Sequence, residues 1–250
     1  MFNSKFLFYF LMPITLVAGS VMGQTIVIDP GHGGKSYLGT QKDRNMSSPN
    51  NAATPSGIKE KELTLAFSLE LEKAILAEAD KLGRKGVEVF LTRRDDVNLN
   101  FTERARFCAG KSPDMIISIH FNASKSGRGL GSLCVIRNSK INENFSADKK
   151  FADGLSEACN RAVRRFVPES KSIGSIEDGY MHGGQGSNFF FQMARYRNIR
   201  EVPKCFLEIE HIDRKDVEEQ LIKNRDKTFP VIAAEIASYL LNGTHIGTGQ

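Results

Sequence analysis

The sequence predicts a single α/β domain: a mostly parallel, twisted sheet of about six strands flanked by helices. Three observations predict it. Short Val- and Ile-rich runs alternate along the chain with longer segments of helical period. The run Met115–Ile119 is apolar almost throughout, as a strand covered on both faces must be. No internal repeat or linker divides the 250 residues, a length that suits one such domain.

The elements follow in order. Met1–Gly23 carries one charge, Lys5, then the apolar run Phe6–Val17 and the small residues Ala18, Gly19 and Ser20. That is the pattern of a secretory signal peptide, cut after Gly23, with residues 24–250 as the folded domain. Thr25–Asp29 is a buried strand ended by Pro30 and Gly31. Gly33–Ile58 is polar and aperiodic, a long loop of the kind usually reserved for function. Glu60–Leu82 is a helix with the stripe Leu63, Phe67, Leu71, Ala74 and Ile75, stopped by Gly83 and Gly86. Val87–Leu91 is a strand, Phe101–Ala109 a short helix, Met115–Ile119 the central strand and Gly131–Ile136 a fourth. Ala147–Phe166 is a helix, and Val167–Gln185, rich in Gly and Ser, reads as loop. Phe189–Met193 and Lys204–Ile209 read as strands, Asp216–Ile222 and Phe229–Leu241 as helices.

Composition sets the outer limits. With 40% apolar and 25% charged residues the chain is neither disordered nor a polytopic membrane protein. The net charge of +5 is spread out, with basic runs no longer than dipeptides such as Arg93-Arg94. It suits an anionic partner, and export makes a wall polymer a better candidate than nucleic acid. Cys108, Cys134, Cys159 and Cys205 include no Cys-x-x-Cys pair, so a thiolate zinc site has no signature. They are either disulfide partners in an oxidising compartment or buried free thiols.

Parallel strands bring their carboxyl ends to one edge of a sheet, where sites form. Three strands here end in potential ligands: Asp29-Pro-Gly-His32, Ser118-Ile-His120-Phe-Asn122, and Glu208-Ile-Glu210-His211. Glu60 opens the helix after the long loop. Two imidazoles and a carboxylate suit a catalytic zinc, and a further carboxylate can act as general base. Glu208 lies in the apolar run Cys205–Ile209, where a carboxylate is costly unless it is paired or ligates a metal. Glu208 and Glu210 alternate along a strand and are expected on one face, so the base is one or the other. Glu62 is a rival to Glu60.

These residues sit in motifs that resemble the zinc-dependent N-acetylmuramoyl-L-alanine amidases, the type-3 amidase family. The motifs are Val27-Ile-Asp-Pro-Gly-His-Gly-Gly34, Glu60-Lys-Glu-Leu-Thr-Leu65, Leu91-Thr-Arg-Arg-Asp-Asp96, Phe101-Thr-Glu-Arg104, Ser118-Ile-His-Phe-Asn-Ala123 and Lys204-Cys-Phe-Leu-Glu208. They occur in family order from about Thr25 to Leu241. The resemblance implies a zinc-dependent exopeptidase/amidase-like fold, with 24–250 as the catalytic zinc amidase domain. It implies one Zn2+ held by His32, Glu60 and His120, and Glu208 as the catalytic glutamate. Asp29 and Asn122 are candidates for supporting the ligands or touching substrate. Arg195 resembles a family arginine that binds a stem-peptide carboxylate. After Glu208 the sequence Ile209-Glu210-His211 departs from the family's small or glycine-rich pattern, and the loop Lys35–Lys59 is longer than the minimal one.

The implied function is an exported peptidoglycan hydrolase that cuts the amide between N-acetylmuramic acid and L-alanine, in the periplasm, cell envelope or medium. Its substrate is a muropeptide and it has no nucleic-acid partner. It has no integral span after cleavage, is monomeric, and leaves room for an activator protein. The competing readings are a non-catalytic wall-binding or regulatory module on the same fold and a related zinc peptidase.

Overall fold

The computed structural model describes residues 23–242 apart from 125, 183 and 184. The expected signal segment, all but Gly23, and the polar tail after Asn242 lie outside those residues. The elements are β1 (Thr25–Pro30), α1 (Glu60–Lys81), β2 (Glu88–Leu91), α2 (Phe101–Lys111), β3 (Met115–Asn122), β4 (Ser132–Ile136), α3 (Phe145–Val163) and β5 (Ser172–Glu177). After them come α4 (Asp178–His182), α5 (Asn188–Met193), α6 (Arg197–Arg200), β6 (Lys204–His211), α7 (Lys215–Val217), a π turn at Glu218–Ile222, and α8 (Arg225–Asn242).

The six strands run in the order β2-β1-β3-β6-β4-β5. β1 pairs in parallel with β2 and β3, and β3 with β6. β4 lies antiparallel to β6 and carries β5 parallel to itself. The chain leaves β1 for β2 on one side, then crosses to β3 on the other. A crevice therefore opens between the carboxyl ends of β1 and β3.

Residue parity along the strands decides which layer each side chain enters. Ile26, Ile28, Ile117, Ile119, Leu207 and Ile209 face α1, α3 and α8. Val27, Ile116, Leu133, Val135 and Phe206 face α2 and α5. In the first layer Phe67 of α1 meets Phe229 edge-on at 5.2 Å and Phe121 at 6.5 Å, all three buried. Truncating a ring packed in this way costs ~3–5 kcal/mol. Two local signals fix helix ends. Asn100 and Glu103 form a reciprocal capping box that starts α2. Gly83, at φ +65°, closes α1, and the next amide, that of Arg84, donates to the Ala79 carbonyl at 2.9 Å.

Several elements differ from the sequence expectation, among them the short helices α4, in the segment expected as loop, and α6, where no element was expected. The segment Ser172–Glu177, expected as loop, is the edge strand β5. Its composition is poor in strand formers, and Gly174 takes φ +76° where the register with β4 shifts. Pairing with β4 and cover from α3 make it a strand, and neither is visible locally. Conversely Phe189–Met193, expected as a strand from its aromatic run, lies in helix α5. The Ser187 hydroxyl accepts from the Phe189 amide at 3.1 Å and caps it, while Phe189 and Phe190 pack on Phe206.

Candidate metal centre and cleft

His32, Glu60 and His120 meet at the crevice, with one potential ligand atom from each lying within 4.8 Å of the others. Each arrives from a different element: the turn after β1, the first residue of α1, and the end of β3. The neighbouring groups orient them. The His32 Nδ1 lies 3.1 Å from the Ser48 carbonyl, which takes the Nδ1 proton and turns a bare Nε2 inward. That Nε2 is buried, has no hydrogen-bond partner, and lies 3.2 Å from Glu60 Oε2. Glu60 Oε2 accepts from the Ala52 amide at 3.1 Å, and Oε1 accepts from the Phe121 amide at 3.2 Å and lies 3.1 Å from His120 Nδ1. Burial raises the Glu60 pKa, but the neighbouring His32 and His120 outweigh it and hold the carboxyl below the usual range. An orphaned imidazole nitrogen, a second imidazole and a buried carboxylate fit the nitrogen- and oxygen-donor set of a catalytic zinc. Glu62 is exposed on α1 and takes no part.

The turn that carries His32 is held by cations. His32 itself has φ +60°, a conformation that costs a side chain of its kind ~1–3 kcal/mol unless its surroundings enforce it. The Pro30 carbonyl accepts from Arg93 Nε at 3.0 Å and from Arg104 at 2.9 Å. The Gly31 carbonyl accepts from the Thr64 hydroxyl and from Arg93, both at 2.8 Å. The His32 carbonyl accepts from Arg104 at 2.8 Å, and that of Gly34 from Lys61 Nζ at 2.7 Å. Gly31 is required by proximity, since a Cβ there would stand 2.4 Å from the His120 ring. Asp29 balances the charge: Arg104, Thr92 and Ser118 all donate to its buried carboxylate. Asp29 is thus a counter-ion below the site. The roles of Arg93 and Arg104 escaped the sequence reading, although both lie within its motifs.

Glu208 and Glu210 do not share a face. His120 stands opposite Glu208, but Asn122 stands opposite His211, so two residues of β3 span three of β6. This bulge breaks the alternation. Glu208 stays beside His120 and lines the cleft. Glu210 turns into the protein: it accepts from the amides of Gly131 at 2.6 Å and His211 at 2.8 Å, and from the Ser170 hydroxyl, which is bonded in turn to Asn160 of α3. The Glu208 side chain is 8% exposed and its Oε2 has no partner. Burial pushes its pKa up to about 7, with the Glu60 charge adding to the rise and His120 opposing it.

The cleft encloses about 700 Å³ and is lined by the cluster, Glu208, Asn122, residues of the long loop and the stretch before α5. Asn122 sits at its edge, its Oδ1 accepting from the Ala123 amide at 2.8 Å. Arg195 is not among the residues that line it: its guanidinium donates to Gln192 Oε1 at 3.1 Å. Sequence proximity to the closing strand could not show that. All four cysteines are buried free thiols. Burial pushes the Cys159 thiol up to about 12, so it is inert at neutral pH.

The family model described as N-acetylmuramoyl-L-alanine amidase matches residues 26–239. Among curated proteins, the chain is 33% identical over 139 residues to the probable N-acetylmuramoyl-L-alanine amidase AmiB of Haemophilus influenzae, covering 55% of this chain and 27% of that protein. It is 28% identical over 134 residues to the endolysin of Bacillus phage SPP1, covering 54% and 42%. The chain thus spans less than half the length of these relatives. Among solved structures, the catalytic domain of CwlV, an N-acetylmuramoyl-L-alanine amidase from Bacillus (Paenibacillus) polymyxa var. colistinus, superposes with TM-score 0.63 at 23% identity, over 90% of this chain and 99% of that one. CwlD amidase from Clostridioides difficile, in complex with the GerS lipoprotein, superposes with TM-score 0.61 at 18% identity, over 88% and 98%. At such identities the likeness is one of fold.

Proposed function

The chain belongs to the N-acetylmuramoyl-L-alanine amidase family, and on that footing we propose that it is an exported zinc amidase of the cell wall, cutting the amide between N-acetylmuramic acid and the L-alanine of the stem peptide. The observation that carries this reading is the convergence of His32, Glu60 and His120 beside the unpartnered carboxylate of Glu208. His32 through Nε2, His120 through a ring nitrogen and Glu60 through a carboxylate oxygen would hold the zinc. A zinc ion in such a set supplies a Lewis acid for the amide carbonyl and lowers the pKa of water to about 7.

The rest falls to the protein. Glu208, with its pKa near 7, takes a proton from the attacking water as that oxygen bonds to the carbonyl carbon. It then delivers the proton to the alanine nitrogen as the C–N bond breaks, leaving a muramic acid carboxylate and a free amine. Arg93 and Arg104 keep the His32 turn in place. Asn122, among the residues lining the cleft, donates its amide to substrate. The leader-like residues 1–23 supply export, in keeping with relatives named as cell wall amidases; no helix among the described residues is long and apolar enough to cross a membrane.

The test is digestion of purified peptidoglycan with mass spectrometry of the products. Release of stem peptides with a free L-alanine amino terminus, abolished by chelation and restored by zinc, is the expected result. Cleavage within the stem peptide would instead mark a zinc peptidase, and no product at any zinc level would mark a binding module.

A further inference from the structure

One wall of the cleft is built by two segments far apart in sequence, and a single arginine fastens them. Arg44, in the long loop after β1, lays its guanidinium over the Phe191 ring at 4.2 Å. It also donates to the Gln185 carbonyl at 2.7 Å and to that of Gly186 at 3.2 Å. Gln192, fully buried, returns the contact by donating to the carbonyls of Asp43 at 2.8 Å and Arg44 at 2.9 Å. The loop and the stretch 185–192 therefore form one surface.

That surface has a definite chemistry. Moving away from the metal cluster, the lining side chains include Tyr37, Gln41, Asn51, Met181, Gln185 and Asn188. None is charged. The remaining charged or ionisable groups in the lining, among the described residues, are the cluster, Glu208 and the mutually neutralised pair Asp29 and Arg104. Tyr37 is 60% exposed, an aromatic face kept in water beside the cleft. In the intact substrate the muramic acid carboxyl is tied up in the amide, so its glycan is neutral there, with hydroxyl and acetamido groups that match side-chain amides and C–H faces that match an aromatic ring.

We propose that this wall is the glycan subsite, with Tyr37 as its stacking platform, Gln41 and Asn188 as its hydrogen-bonding groups, and Arg44 as the residue that positions it. The assignment rests on the amidase reading and specifies which half of the cleft holds sugar.

Two readouts test it. The first is calorimetric binding of N-acetylglucosamine oligomers, which carry acetamido and hydroxyl groups but no carboxylate, to the zinc-free protein, which needs no turnover. Tyr37→Ala is expected to weaken it about three- to tenfold, the worth of one aromatic contact. Arg44→Ala is expected to weaken it further and Arg44→Lys to restore it only in part, because lysine cannot make the forked contact. The second is the KM of the zinc-loaded protein on muropeptides of one stem peptide and increasing glycan length. Tyr37→Ala should raise KM on the longer chains, with kcat within about twofold. Variants that bind N-acetylglucosamine oligomers as wild type does, or whose defect follows the number of stem-peptide carboxylates, would overturn the subsite. A wild-type protein that binds glycan but releases no stem peptide would overturn the amidase reading and leave the subsite standing.

Discussion

Arg104 and Asp29 are joined at 2.6 Å with both side chains about 1% exposed, and the same guanidinium holds the carbonyls of Pro30 and His32. One buried ion pair therefore links α2, β1 and the turn that presents a candidate metal ligand. Arg104→Met should strip Asp29 of its counter-ion and cost ~3–5 kcal/mol of stability, seen as a drop in the denaturation midpoint. Arg104→Lys keeps the charge but not the fork, and should fold while binding zinc ~10–100-fold more weakly, the usual effect of disturbing the partners of a ligand. A stable Arg104→Met protein with normal zinc affinity would remove Arg104 from this role.

Asp29 also sets an acid limit. Burial raises its pKa, but Arg104, Thr92 and Ser118 together hold it below the ordinary 3.8. The folded state thus binds this proton less readily than the unfolded chain. Its contribution to stability is fully present above the unfolded value and is lost as pH falls below it, through the folded one. Denaturation midpoints measured from pH 6 down to pH 2 should fall most steeply at the acid end, and Asp29→Asn should flatten that end.

The two glutamates of β6 should separate by kind of defect. Glu208→Gln removes a buried carboxylate oxygen that has no partner. The variant should be as stable as the parent or more so, should retain zinc, and should lose ~10²–10⁴ in kcat. Glu210→Ala strands the Gly131 and His211 amides and the Ser170 hydroxyl. It should cost ~1–3 kcal/mol or more by calorimetry. Equal stability losses in the two variants would contradict the bulge as the device that divides them.

Zinc should stabilise the folded chain by mass action. A thousandfold excess over its dissociation constant should add about 4 kcal/mol, visible as a rise in Tm that magnesium does not reproduce. Glu60→Gln and His120→Ala should each abolish most of that rise, since each removes one of the three ligand atoms gathered within 4.8 Å. An undiminished zinc-dependent rise in either variant would place the ion elsewhere.

Much of this was legible in the sequence. The strands Thr25–Pro30, Met115–Asn122 and Lys204–His211 announce themselves as apolar runs, and each ends in ligand-type residues. Helices α1 and α2 carry their stripe, cap and stop signals in neighbouring residues. Where the signal was not local, reading failed. The edge strand β5 depends on β4, and α5 depends on a serine cap and on Phe206.

The sequence by itself determined the fold class, which is written in side-chain period, and it carried the family motifs in which the candidate metal ligands stand, which are short runs of neighbouring residues. Only the tertiary structure separated Glu208, which lines the cleft, from Glu210, since one extra residue in β6 opposite β3 turns the second glutamate inward. It likewise placed Arg195 outside the cleft and brought Arg44 to Phe191, across 147 residues of chain. Facing, burial and charge balance are properties of neighbours in space, and those neighbours are chosen only when the sheet closes its register and the layers pack upon it.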